Sequence, residues 1–414
     1  MPSTLYPLYL SFSSLGTNYF AEFQFTSSDM FIVLVYAVIF FLLLKHLNSL
    51  NKSHIIYVVG IVTVLVSNLI QGVHNGLINP VSGGGCSGIQ YYHDAIKINE
   101  GLAFLSNYNI LQSDLLCHSR THPPGAVLIY YLLNQVFYSP LFISVALMAI
   151  SLLSIFYVYK IIKIEFNENV AAFISLIFIF LPATQIYYLS SLDSLIAFTF
   201  LGVLYHYLMW RKRHNLFDYA VFIGYFFISA FLTYMVIFLA MLIILHSFRD
   251  KNIKTVILLF TPLFVMFLWF YQFLNFNYFL GFITASHLQN PDGFRLLSDP
   301  ISYLTTRFEC IAEILLFLGP IAVLLAYKGL KDKTNMMVQF SKSSILMLFI
   351  IFLTGACYTG ETARACLFIY PLLLIPIAYY INDRNDVGIY EKQQILLVLW
   401  MQSTLMQMIG FYFW

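Results

Sequence analysis

Leu141-Phe142-Ile143-Ser144-Val145-Ala146-Leu147-Met148-Ala149-Ile150-Ser151-Leu152-Leu153-Ser154-Ile155-Phe156-Tyr157-Val158-Tyr159 runs without a charge until Lys160 closes it. A hydrocarbon layer about 30 Å thick is crossed by roughly 20 apolar residues in a helix, so this run reads as a spanning helix. The pattern recurs in both directions. Apolar runs bounded by polar breaks lie at 30–45, 55–72, 141–160, 169–187, 194–210, 218–232, 235–248, 255–274, 309–327, 341–358, 365–381 and 393–413. Of 414 residues, 60% are hydrophobic and only 10% charged, with mean hydropathy +0.80. A soluble domain carries about 25% charged residues and would leave most of these runs exposed. The expected fold is an all-α integral membrane protein with about 12 transmembrane helices.

The charges between the runs give an orientation. Basic clusters stand at Lys45/Lys52, Lys160/Lys163, Arg211-Lys212-Arg213, Arg249/Lys251/Lys254, Lys328/Lys331/Lys333/Lys342 and Arg384/Lys392. With helices alternating, all fall on one side, which the positive-inside rule makes cytoplasmic. Of the 21 Lys and Arg, only Lys97, Arg120, Arg295, Arg307 and Arg364 lie opposite. Both termini are then expected outside. The first charge is Glu22, so the basic start of a cleavable signal peptide is missing. Net charge of +2 makes no case for nucleic acid as a partner. Cysteines 86, 117, 310, 357 and 366 have no metal-site spacing. Cys86 and Cys117 flank one loop and either form a disulfide or remain free thiols.

Two connections on the less basic side, 73–140 and 275–308, are longer than a compact bundle needs, which is where function concentrates. The first contains Tyr91-Tyr92-His93-Asp94, after which Ala95, Ile98, Leu102 and Leu105 recur at helical spacing. The spacing predicts an amphipathic helix lying in the interface. Asp94 is either its N-cap or a general base. Next comes Arg120-Thr121-His122-Pro123-Pro124-Gly125 and an apolar run of about 13 residues, too short to span. Arg120 and His122 thus stand where an anionic head group would meet the protein. Snorkelling accounts for the arginine but poorly for the whole cluster. Farther along, Glu309 and Glu313 lie one turn apart beside Arg307, and they either line a pocket or pair with that arginine.

An acidic residue in the first outer loop, an amphipathic helix and His122-Pro123-Pro124 ahead of an apolar run together resemble the GT-C superfamily of membrane glycosyltransferases. The closest likeness is to its protein O-mannosyltransferase and aminoarabinose-transferase branch. Leu181-Pro182 through Asp193 is similar to the family's proline-bearing span with an outward polar end. Leu232-Thr233-Tyr234 resembles its tight turn, and Thr359-Gly360-Glu361-Thr362-Ala363-Arg364 its late arginine element. The likeness covers roughly residues 55–381. Gly125 stands where leucine is usual, and a lone Asp94 replaces Asp-Glu or Asp-x-Asp, so a divalent metal is not carried over as a requirement.

The resemblance implies a GT-C-like core over 55–381, with an extra N-terminal helix in 1–54 and a C-terminal helix in 382–414. It implies transfer of a sugar from a polyprenyl-phosphate donor to a glycan, lipid or protein acceptor on the extracytoplasmic face. The membrane is then that of a bacterial or archaeal cell, or the endoplasmic reticulum. Asp94 is the expected base, and Asp193 a second carboxylate. Arg364, Arg120 and His122 are expected at the donor phosphate, since arginine offers a bidentate fork. His93, Tyr92, Tyr188, Glu361 and Glu313 are expected at the substrate. The rival readings are a flippase or transporter of lipid-linked sugars, and a glycan polymerase or ligase using lipid-pyrophosphate donors. A transporter is expected to show repeats and broken helices, which this sequence does not announce.

Overall fold

The computed structural model of the chain describes residues 27–83, 90–291, 293–331, 335–357, 360–384, 387–410 and 412. Cys86, with its candidate bridge to Cys117, lies outside the described residues, as do residues 1–26 and Thr359. Helices make up the regular structure, with no strand among the described residues.

In chain order the principal helices are α1 (Ser27–Lys45), α2 (Ser53–Leu69), α3 (Gly101–Leu111), α4 (Gly125–Phe137), α5 (Pro140–Ser151), α6 (Ser154–Ile162), α7 (Glu168–Phe180), α8 (Pro182–Tyr187), α9 (Leu192–Arg213), α10 (Leu216–Leu232) and α11 (Val236–Arg249). They continue as α12 (Ile253–Leu274), α13 (Tyr278–Gln289), α14 (Pro300–Leu318), α15 (Pro320–Gly329), α16 (Met336–Leu353), α17 (Ile369–Asp383) and α18 (Ile389–Ile409). Each apolar run of the sequence falls on a helix. Four, at Pro140–Ile162, Leu192–Arg213, Ile253–Leu274 and Met336–Leu353, are long and apolar enough to cross a membrane, and α14 with α15 makes a fifth if that bent pair counts as one.

The 141–160 run divides only slightly, at Leu152–Leu153 between α5 and α6, and still counts as one candidate span. Two other runs expected to be single spans are broken, each for a local reason. Pro182 has no N–H and disfavours helix in the residue before it, so 169–187 divides into α7 and α8. The freed backbone groups need partners where water is scarce. The Gln185 side chain donates to the Ile179 carbonyl at 2.7 Å and accepts from the Tyr36 hydroxyl at 2.9 Å, while its own carbonyl accepts from Asn68 Nδ2 at 2.7 Å. Likewise 309–327 turns by 98° between α14 and α15. Gly319 at the corner has φ +88°, and a Cβ there would sit 2.7 Å from Gln402 Oε1.

The 73–140 loop also differs from expectation. Instead of one amphipathic helix from Asp94 it makes a single turn at Tyr92–Ala95, passes through extended backbone at Glu100 (φ −139°), and only then enters α3. Asp94 is therefore inside a turn and caps nothing. Pro124, at φ −60°, leads directly into α4. A Cβ on Gly125 would collide with the Phe231 carbonyl at the end of α10, so a larger residue has no room there. The 275–308 segment is mostly helical and is stitched to the first loop. Asn109 Oδ1 accepts from the Asn277 amide at 2.7 Å, and Gln112 Nε2 donates to the Gly281 carbonyl at 2.9 Å.

Basic clusters gather at the other end of the bundle. There Tyr159 bonds the Asn51 carbonyl, Gln393 the Leu44 carbonyl, Arg211 pairs with Asp250, and Arg249 bonds Ser343. Helix α9 links the ends, with Asp193 in its first turn and Arg211 in its last, about 27 Å apart at 1.5 Å per residue.

Candidate active site

Ser191 caps α9, its hydroxyl accepting from the Ser194 amide at 3.1 Å. That cap fixes Asp193 in the first helical turn, where the helix dipole favours a carboxylate. Arg364 approaches from the short turn Thr362–Ala365. Its Nε lies 3.4 Å from Asp193 Oδ2 and its Nη2 3.0 Å from Glu361 Oε1. The Arg364 side chain is only 11% exposed, and in such surroundings two carboxylates keep its guanidinium bound and fixed. His118 Nε2 stands 3.8 Å from Glu361 Oε1. Tyr91, His118, Ser191, Asp193 and Arg364 line a narrow cleft. The Tyr91 ring lies 5.9 Å from that of His118 and meets His122 edge-on at 5.3 Å.

The turn carrying Arg364 is held from α14 in two ways. Fully buried Glu313 accepts from the amides of Gly360, Thr362 (2.9 Å) and Ala363 (3.3 Å). Backbone donors around a carboxylate stabilise its charge. Arg307, also buried, donates to the carbonyls of Phe352 (2.9 Å), Ala356 (2.6 Å) and Cys357 (2.9 Å) at the end of α16. One helix thus grips both ends of the segment leading to Arg364, by its carbonyls with Arg307 and by its amides with Glu313.

Burial, ahead of neighbouring charges, pushes the His118 and His122 imidazoles down to about 4, so both are neutral near pH 7. Burial alone would raise the Glu361 carboxyl, but the Arg364 guanidinium, the largest opposing influence, helps to hold it below its usual range.

The remaining expected residues are placed as follows. Asp94 is buried beside the cleft rather than in it. Its Oδ1 lies 3.1 Å from Lys97 Nζ, and its Oδ2 accepts from the Leu116 amide at 2.8 Å. It thereby ties the Tyr92–Ala95 turn to the strand of chain leading into His118. His93 bonds the Ser82 carbonyl at 2.8 Å, with Tyr92 against its ring. Tyr188 is buried in the core against Phe178. His122 bonds the His118 carbonyl through Nδ1 at 3.1 Å, and its own carbonyl accepts from Tyr108. The Arg120 carbonyl accepts from Gln112. His118 was not singled out by the sequence, although it sits four residues before His122, a spacing that stacks two side chains on one face of a turn. Among the described residues no three His, Cys, Asp or Glu side chains gather as a metal ion would need, so no metal-holding residues are assigned. No protein-family model, curated protein or solved structure matches the chain.

Proposed function

We propose that the protein is an integral membrane glycosyltransferase of the GT-C kind, with about twelve spans, that takes a sugar from a polyprenyl-phosphate carrier. The basic end is cytoplasmic in this reading, by the positive-inside rule, and the Arg364 cleft faces the opposite compartment. The observation that carries it is the nearly buried Arg364 guanidinium held between Asp193 and Glu361 in a cleft with an aromatic wall. The lipid phosphate lies against Arg364. An acceptor hydroxyl gives its proton to a carboxylate, its oxygen bonds the anomeric carbon, and the carbon–oxygen bond to phosphate breaks. The electron pair leaves on the lipid phosphate, where a fixed cation stabilises the growing charge. Asp193, which lines the cleft, is better placed as the base than Asp94, whose two oxygens already hold Lys97 and the Leu116 amide.

A flippase of lipid-linked sugars is the second reading, favoured by one observation. The 98° break between α14 and α15 is the kind of discontinuous helix that transporters use. The two separate in one experiment. Purified protein in liposomes is supplied with a polyprenyl-phosphate sugar and an acceptor, with sugar transfer and lipid scrambling measured side by side. Transfer is the expected result; scrambling without transfer rejects the glycosyltransferase.

A further inference from the structure

At the basic end, between the last turn of α11 and the first turn of α16, lies a second cavity lined by His246, Arg249, Asp250, Met336, Gln339 and Phe340. It shares no lining residue with the Arg364 cleft. His246 is 7% exposed, and its Nδ1 lies 2.7 Å from the Tyr207 hydroxyl. Nδ1 also stands 3.7 Å from Asp250 Oδ2; in the tautomer in which Tyr207 donates to Nδ1, the ring proton resides on Nε2. That nitrogen has no hydrogen-bond partner among the described residues. A buried N–H without an acceptor is a standing penalty that a bound acceptor removes.

Two further features favour an anion, and the one carboxylate of the lining is offset by a cation outside it. Arg249 uses one Nη on the Ser343 hydroxyl at 2.8 Å, and a guanidinium has five N–H donors. The Asp250 carboxylate is met by Arg211 at 2.6 Å, so the lining with its partner is net positive. Asn335 caps α16 here, accepting from the amides of Met337 (2.8 Å) and Val338 (3.4 Å), and the positive end of this 18-residue helix faces the same region. Phe248 and Met336 leave exposed apolar surface beside the opening.

We infer that this cavity is an anion site, which takes the phosphate of an anionic lipid with its chains along the apolar surface of α11 and α16. The inference does not rest on the sugar-transfer reading. Purified full-length protein in a neutral detergent is titrated with dioctanoyl phosphatidic acid and, separately, with inorganic phosphate. Bound ligand is read by native mass spectrometry. Phosphatidic acid binds, Arg249→Gln weakens it about tenfold, the weight of one charge-assisted hydrogen bond, and Lys212→Gln, at the same end but outside the lining, leaves it unchanged. His246→Phe keeps the ring, drops the donor and gives a similar loss; Arg249, being exposed, keeps the test valid if that variant does not fold. Binding of inorganic phosphate with the same dependence on Arg249 upholds the site and assigns it to free phosphate. Binding of neither probe, or equal weakening by Lys212→Gln, overturns it.

Discussion

Asp193 and Arg211 stand at opposite ends of one helix, and their surroundings have little in common. At the Asp193 end, acidic and basic groups interleave out of water: Arg364 between Asp193 and Glu361, Glu313 on backbone amides, Arg307 on backbone carbonyls. At the Arg211 end many cations lie over rings near the surface, such as Lys160 over Tyr205, Lys328 over Tyr380 and Lys331 over Tyr327. A buried charge costs several kcal/mol unless a specific partner meets it, whereas an exposed pair is worth about 0–1 kcal/mol. At one end the charges are met by particular buried partners; at the other only some are, such as Arg211 by Asp250 and Arg249 by Ser343, and the rest are a surplus of sign.

The sharpest way to break that contrast is Glu313→Ala, which leaves amides at the Arg364 turn without their carboxylate. We expect a loss of about 3–5 kcal/mol in unfolding stability, read by thermal denaturation in detergent, against less than about 0.5 kcal/mol for Lys331→Gln. Equal, small effects would dissolve the distinction. Next in size is the exchange of carboxylates. Asp193→Asn should lower turnover by about 10²-fold or more with donor binding retained, while Asp94→Asn acts mainly on stability. The reverse pattern, from the same kinetic comparison, would return the base to Asp94.

The basic end was legible in the sequence because surplus charge at helix ends needs no partner to be recognised. Arg211, Arg249 and Lys328 can be counted along the chain. Arg364 with Glu361 was also within reach, being three residues apart on one turn. Asp193 as the partner of Arg364 and Glu313 as the holder of its turn were not, since each joins segments far apart in sequence. Asp94 has a long-range partner of the same kind. A carboxylate after two tyrosines reads as chemistry, but the Leu116 amide that occupies it is 22 residues away. The helices failed to match their runs where Pro182 and Gly319 stand, because hydropathy measures apolarity and not backbone donors or left-handed φ.

Two smaller effects sharpen the picture of the cleft. Gly125→Leu should cost about 1–3 kcal/mol by driving a side chain into the Phe231 carbonyl; an unchanged melting temperature would mean that α4 and α10 pack more loosely. The pH dependence follows from His118 and His122, which are held neutral by burial with values lowered from 6.5 to about 4. Below 6.5 the unfolded chain binds protons before the fold does, so their contribution is present above that pH and is lost as pH falls toward 4. His118→Gln should flatten that decline in a stability–pH series, and an unaltered slope would place the titration elsewhere.

Arg364→Lys tests the central claim most directly, since it keeps the charge and removes the fork. Donor affinity and single-turnover sugar transfer are measured on the same purified preparation with a polyprenyl-phosphate sugar. If the guanidinium stabilises the leaving phosphate, the chemical step slows by about 10²-fold while donor affinity weakens by less than about tenfold. Transfer at the native rate, or an affinity loss that accounts for the whole effect, would contradict it.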